Sequence, residues 1–417
     1  MKYVYSSLDI GTDSVKIVVC ELNKNRLNLL AASSVKSKGI KRGLITNVEE
    51  ATESLKQAFK DIESMLGIKI KEVIASVPCY LADYSIVKGN VQINRENNVI
   101  TGDDIVEVFE NSIGDKDLEN NKVVTIIPID FTLDDDRVVT EPRGLKSKTL
   151  NSRSILVRTP KKNIYSVISI LKSIGVEVVD LSLNNIGDIY ALKGQNTYDK
   201  VGAIINIGYA TTTVSLYNKD VIVRSSIIPM GSKDIDNDIA YIYKITPKDA
   251  NKIKEKFALA HKRYASMNDF YEDENIDQKI KISQYEASEI VMSRIEEILN
   301  LAKNEINVLT NRQMQYIIVT GGTSNMAHFE YILQDVFGKN VSVGSVKMTG
   351  IRNNKFSSAV GNIVYFINKL KLRGKSYTMI TNDDSETLGS TKRNIIDGMN
   401  DTMLGKVFGH FFSDKED

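Results

Sequence analysis

The chain has 417 residues, 42% hydrophobic and 26% charged, the balance of a folded soluble protein with more than one core. Lys and Arg number 54 against 53 Asp and Glu, and this near-neutrality lacks the basic excess of a nucleic-acid binder. Cys20 and Cys79 lie in apolar surroundings, which predicts buried free thiols in a reducing cytoplasm rather than a disulfide.

The first element is a strand, "YVYSSLD", that stops at Asp9. Asp9 interrupts the N-terminal apolar run, so no signal peptide is expected. A glycine turn, "IGTD", leads into "SVKIVVCEL", and Asn23-Lys24-Asn25 turns the chain into "RLNLLAASSV". This is a three-stranded meander. "TGDDIVEVFENSI" (101–113) predicts a short helix, and "KVVTIIPIDFTL" and "RSILVRTP" predict strands around a Pro142-Arg143-Gly144 loop. "KNIYSVISILKSIG" (162–175) is an amphipathic helix ended by Gly175.

At 201–230 the opening module returns: "VGAIIN", turn "IGYAT", "TTVSLY", turn "NKD", "VIVRSSIIPM". Asp9 corresponds to Asn206 and Gly11 to Gly208. Two related modules this far apart predict a duplicated two-lobed fold. Residues 287–309 read as a long helix. In "QYIIVTGGTSNMAHFEYILQDVFG" (315–338) a strand ends at Gly321-Gly322, Ser324 or Asn325 caps, and a helix runs to Gly338. Gly-Gly admits close backbone approach to a ligand, and equally serves a plain turn.

The chemistry of these loops points to phosphate. Two hairpin turns facing each other across a cleft can aim N–H groups and the hydroxyls of Thr12, Ser14, Thr211 and Thr212 at phosphates. Asp9 can hold waters of a Mg²⁺ that travels with a nucleotide, and Gly321-Gly322 would meet the nucleoside. Walker A and GxGxxG motifs are absent, and the three histidines lack metal-ligand spacing.

Residues 374–394 are polar and read as a flexible linker. On a helix over 403–412, Met403, Leu404, Val407, Phe408, Phe411 and Phe412 fill one half of the wheel, with Lys406 on the other. Such a helix suits a membrane surface, or docking on a protein body. No stretch reaches the ~20 apolar residues of a span.

"LDIGTDSVK", "INIGYATTTVSLY" and "IVTGGTS" resemble the two phosphate motifs and the adenosine motif of the actin-like ATPase superfamily. "IIPIDFTLDDDRVVTEPRGLKSKTL" (126–150), "PKDANKIKEKFALA" (247–260) and the amphipathic end resemble the bacterial cell-division family FtsA. The resemblance implies an α/β, actin-like two-lobed fold of duplicated ribonuclease-H-like domains. Lobe I would span 1–82 and 160–197, with a small α+β domain inserted at 83–159. Lobe II would span 198–375, its outer part about 229–310. A linker at 376–394 and a membrane-targeting helix at 395–412 would follow.

It also implies binding of ATP and Mg. The nucleotide would meet Gly11, Thr12, Asp13, Ser14, Lys16, Asn206, Gly208, Ala210, Thr211, Thr212, Lys254, Gly321, Gly322 and Thr323, with Mg on Asp9 through water. Lys16 reads equally as a solvated strand-edge lysine, and the lysines around 252–263 as a wet helix face. The implied role is a polymerising adaptor that tethers the FtsZ ring to the inner face of the cytoplasmic membrane at the division site. Its partners would be the FtsZ C-terminal peptide, further copies of itself in a head-to-tail filament, other division proteins and the membrane, with no nucleic acid. Arg294 and Lys303 on 287–309 would receive the peptide's acidic groups. A pilus-assembly scaffold of PilM type and a sugar-kinase-branch phosphotransferase are the alternatives.

Several residues depart from the family pattern. Asn206 replaces an aspartate, Tyr209 and Ala210 replace glycines, and Asn251 replaces a ribose-facing glutamate. Asn184 stands where relatives position the attacking water with Gln or Glu. Hydrolysis is therefore expected to be slow or absent.

Overall fold

The computed structural model describes residues 3–113, 120–194, 197, 199–272 and 281–388. Lobe I opens with β1 (Tyr3–Ile10), β2 (Ser14–Asn23), β3 (Arg26–Lys36), the short pair β4 (Ile40–Lys41) and β5 (Leu44–Ile45), α1 (Val48–Leu66) and β6 (Glu72–Val77). A small α+β unit follows: β7 (Asp83–Gln92), α2 (Gly102–Ile113), β8 (Asn121–Leu133), β9 (Val138–Val139) and β10 (Thr149–Pro160). Lobe I resumes with α3 (Lys161–Ser173), β11 (Glu177–Leu183) and α4 (Asn184–Leu192). Lobe II holds β12 (Val201–Ile207), β13 (Thr212–Asn218), β14 (Val221–Ile228), α5 (Ser232–Tyr243), α6 (Pro247–Lys256), α7 (Gln284–Leu309), β15 (Tyr316–Thr320), α8 (Phe329–Phe337) and β16 (Val341–Val343). The last long helix is α9 (Ser357–Arg373).

The duplication is plain in the sheets. Lobe I has the order β11-β6-β1-β2-β3, and lobe II has β16-β15-β12-β13-β14. In each, the first two strands pair antiparallel, and the first pairs parallel with the fourth. The outer turns match too. Lys24 and Asn25 take φ of 45° and 63°, and Lys219 and Asp220 take 51° and 63°, the left-handed pair that fits a two-residue hairpin to strand twist. The inserted unit forms its own sheet, β7-β10-β8-β9, with Ile105, Val108 and Phe109 of α2 packed onto Val91, Phe131 and Leu150.

Two boundaries expected from sequence are corrected by packing. Helix α9 and the segment after it do not stay with lobe II: Ile363, Phe366, Ile367 and Met379 share a core with Tyr5, Val18 and Ile74 of lobe I. The apolar face of α9 is what covers that side of the sheet. Nor is 376–388 a free linker. Met379 N donates to Val4 O, Tyr377 Oη donates to Glu72, and Met379 and Leu388 are buried. Scattered apolar anchors in a polar stretch were enough to dock it. Residues 389–394, and with them the expected helix at 395–412, lie outside the described residues. So do Met403, Leu404, Lys406, Val407, Phe408, Phe411 and Phe412.

Helices α4 and α9 cross with backbones in contact. A Cβ on Gly361 would stand 1.7 Å from Gly187 O, and one on Gly187 would stand 2.2 Å from Ser358 O. Neither backbone oxygen can yield without moving its helix. Gly361→Ala is therefore expected to cost about 3 kcal/mol by overpacking, read as a lowered denaturation midpoint. An unchanged midpoint would mean that the helices can part.

Candidate functional site

Asp9 ends β1 and Asn206 ends β12, and each strand then breaks at a glycine turn. Gly11 N donates to Ser14 O at 3.1 Å, and Gly208 N donates to Thr211 O at 3.0 Å. The two turns are the same closure, repeated. They face a cleft of about 650 Å³, lined also by Gly321, Gly322 and Thr323 after β15. That volume suits a small organic ligand. Gly321 takes φ 98°, and a Cβ there would meet Ile207 O at 2.4 Å. Gly322 has nothing within 4 Å of a built Cβ, so its missing side chain leaves open space.

Charges around the turns are paired. Lys16 Nζ donates to Asp9 Oδ2 at 2.9 Å, both largely buried, because the β1–β2 register sets them opposite each other. Lys36 pairs with Asp13 and lies 5.1 Å over the ring of Tyr209. That contact ties the first lobe's turn to the second's. Thr12 Oγ1 accepts from Gly43 N at 2.9 Å. Lys254 Nζ is 2.7 Å from Asp236 Oδ1, and both side chains are buried. Burial pushes the Asp236 carboxyl upward against the pull of Lys254.

Beneath the cleft sits Asp188, 1% exposed. It accepts from Ser357 Oγ at 2.6 Å, Ser358 Oγ at 2.8 Å and Asn206 Nδ2 at 2.6 Å. Burial drives its pKa up to about 6, three hydrogen bonds oppose this, and the charge of Asp9 adds to it. At the cleft wall, Asn184 Oδ1 accepts from Cys79 N at 3.2 Å and from Asn185 N at 3.0 Å. Its carbonyl is thus engaged by backbone, leaving the amide donors. A donor can approach an anion but cannot accept a proton from water.

The expected residues are mostly brought together. Asp9, Gly11, Thr12, Asp13, Ser14, Lys16, Asn184, Asn206, Gly208, Ala210, Thr211, Lys254, Gly321, Gly322 and Thr323 all line the one cleft. Thr212 does not. It is fully buried, and its hydroxyl donates to Met230 O at 2.9 Å. Strand alternation turns Thr213 to the cleft instead. Ser324 and Asn325 do not cap α8. Ser324 Oγ donates to Gly321 O, and Asn325 bonds Asn353 and Asn354.

Arg294 and Lys303 are separated. Arg294 grips Asp238 of α5 at 2.6 and 2.8 Å and Glu297 at 2.6 Å. Lys303 Nζ donates to Val336 O of α8 at 2.8 Å. Nine residues are two and a half helical turns, which places them on opposite faces of α7. Sequence reasoning missed Lys36, Arg42, Glu255, Asn353 and Lys355, all at the cleft. Glu255 could have been found, since it lies one turn beyond Asn251 on α6. The others sit on segments without a motif.

Two equal lobes, each ending its first hairpin in a shared cleft, define an actin-like protein with a small α+β insertion. The family model for cell division protein FtsA matches residues 203–361, and the model for the SHS2 domain inserted in FtsA matches 82–157. Together they span more than half of the chain. Curated relatives include cell division protein FtsA of Bacillus subtilis (strain 168), 26% identical over 375 residues, covering 89% of this chain and 85% of that protein. FtsA of Enterococcus hirae is 25% identical, covering 88% and 83%. The chain belongs to the FtsA family of cell-division proteins. Among solved structures, a PilM–PilN type IV pilus biogenesis complex gives a TM-score of 0.56 at 15% identity over 88% of this chain and 98% of that one. MreB5 of Spiroplasma citri bound to ADP gives 0.50 at 16%, over 89% and 98%. At that identity these two speak for the fold alone.

Asp188 has a stability consequence. Its raised pKa means that the folded state holds the proton more tightly than the unfolded chain does. Stability is therefore lost as pH rises from 3.8 through about 6, by roughly 3 kcal/mol in all. Asp188→Asn removes the charge and keeps partners for Asn206 and the two serines. It is expected to melt above the parent chain at about pH 8, with the gap closing toward about pH 4. Parallel melting curves across that range would show that Asp188 does not titrate in the fold.

Proposed function

We propose that this chain is an actin-like, ATP-binding adaptor that polymerises head to tail and tethers the FtsZ ring to the inner face of the cytoplasmic membrane. The observation that carries the nucleotide part is the pair of identical turns facing one another across the cleft, with Gly321-Gly322 beside them. Exposed N–H groups and hydroxyls at such turns suit phosphates. Gly322 leaves room for the nucleoside.

No group of three or more His, Cys, Asp or Glu suited to a metal occurs among the described residues. The donors at hand, the Asp9 carboxylate and the Asn206 amide, fit a Mg²⁺ that arrives with the nucleotide and keeps its waters. When bound it would offset phosphate charge. Asn184, with its carbonyl engaged, supports slow hydrolysis or none.

Membrane contact is assigned to 395–412, from its sequence pattern. No helix among the described residues is long and apolar enough to cross a membrane. For the FtsZ peptide, the outer face of lobe II remains the proposed dock, on the Arg294 side. There Tyr241 and Ile242 are 86% and 54% exposed beside Asp238 and Arg294. Lys303 lies on the other face of α7 and takes no part.

Gly322→Val separates binding from folding, because its Cβ meets nothing. It should melt like the parent chain and lose at least about tenfold in Mg·ATP affinity by calorimetry. Equal affinity would move the nucleoside elsewhere, and no ATP binding by the parent chain would end the nucleotide reading. Deleting 395–417, or Phe408→Glu with Phe411→Glu, should release the protein from sedimenting liposomes while ATP binding survives. Undiminished sedimentation would remove the tail as anchor.

A further inference from the structure

Asn206 stands where the family's second phosphate motif carries an aspartate. A neutral amide there looks like a plain loss. What lies behind it changes that reading.

A side-chain amide has two ends of opposite character, a donor nitrogen and an acceptor oxygen. Which way it points is set by its neighbours. Asp188 Oδ2 lies 2.6 Å from the Asn206 nitrogen. Its Oδ1 is already engaged by the hydroxyls of Ser357 and Ser358. An ionised carboxylate only accepts, so it takes the nitrogen end and repels the oxygen end. The amide is therefore locked, with its nitrogen down toward Asp188. The carbonyl oxygen is turned to the Gly321 wall of the cleft, 2.6 Å from where a Cβ on Gly321 would stand. Among the described residues no hydrogen bond is found to that oxygen, and Asn206 lines the cleft. A carbonyl oxygen is a hard acceptor, the ligand type that Mg²⁺ and its waters prefer.

We propose that Asp188 is a positioning residue: it fixes the Asn206 amide with the carbonyl oxygen toward the cleft, where it serves a nucleotide-borne Mg²⁺ as the missing carboxylate would. The negative charge has moved one side chain deeper, from the end of β12 to α4, and polarises the amide from behind. Partners of this kind orient a metal's ligands and govern its affinity. The inference rests on the nucleotide reading above.

The test uses the full chain and calorimetry with ATP, once in EDTA and once with Mg²⁺. The ratio of the two affinities is the Mg increment. Asp188→Ala unlocks the amide. It should cut the increment about tenfold and leave the affinity in EDTA within about twofold. The transposed pair, Asn206→Asp with Asp188→Asn, restores the same contact with the donor reversed. Its carboxylate faces the cleft, the new amide donates to it, and the increment should equal or exceed that of the parent chain. If Asp188→Ala keeps the full increment, or weakens binding equally with and without Mg²⁺, the role is only structural and the proposal falls. It falls too if the folded transposed pair loses the increment. Should Asp188→Ala fail to fold, the transposed pair decides alone. Absence of ATP binding by the parent chain would instead overturn the nucleotide reading itself.

Discussion

The backbone contact between α4 and α9 at Gly187 and Gly361 sets the distance on which the cleft depends. Helix α4 ends lobe I's second pass and leads into β12. Helix α9 follows lobe II and returns to cover the sheet of lobe I. With no side chain between them, the helices act as one strut. Ser357 and Ser358 at the start of α9 then reach Asp188 on α4. The same carboxylate holds Asn206 at the end of β12. Helix crossing, buried acid and cleft wall are thus one mechanical unit.

That unit is costly to the fold. A carboxylate with no cationic partner in contact among the described residues, buried to 1% exposure, is a standing penalty that hydrogen bonds offset only in part. Functional sites often break the rules that the rest of a fold obeys. Elsewhere in the cleft the buried acids follow the ordinary rule. Asp9 has Lys16, and Asp236 has Lys254. Asp188 is the exception, and it is the one that touches both lobes and α9.

Much of this was legible in the sequence, because local chemistry specified it. The glycine turns after Asp9 and Asn206 carry their own turn residues, and the NKN and NKD turns tolerate left-handed backbone. Their recurrence announced the duplication. What could not be read is what depends on packing between distant segments. Nothing in the polar run 374–394 says that Met379 will fill a gap beside β1. Thr211, Thr212 and Thr213 are alike in sequence, and only the strand's phase decides which hydroxyl faces the cleft. The pairing of Asp188 with Asn206 joins positions on different elements, and nothing in the sequence around Asp188 marks it as a partner. That Arg294 and Lys303 do not share a face has a simpler reason: nine residues along a helix are two and a half turns.

The electrostatics of the cleft follow from these pairings. A nucleotide triphosphate brings several negative charges. Of the lysines that line the cleft, Lys16, Lys36 and Lys254 each already face a carboxylate. Such pairs present little net positive field to an incoming anion. Arg42 and Lys355 also line the cleft, and what the turns themselves offer phosphates is dipolar: N–H groups and hydroxyls. Dipoles orient phosphate well but offset little of its charge. On the reading proposed above, a divalent cation that arrives with the nucleotide would make up that difference. The acceptors on Asp9 and Asn206 would then matter more than in a cleft where Lys16, Lys36 and Lys254 were also uncompensated. Under the proposal made above, the amide at 206 would be less a loss of the metal side of the site than a rearrangement of it, with the charge held one layer back on Asp188.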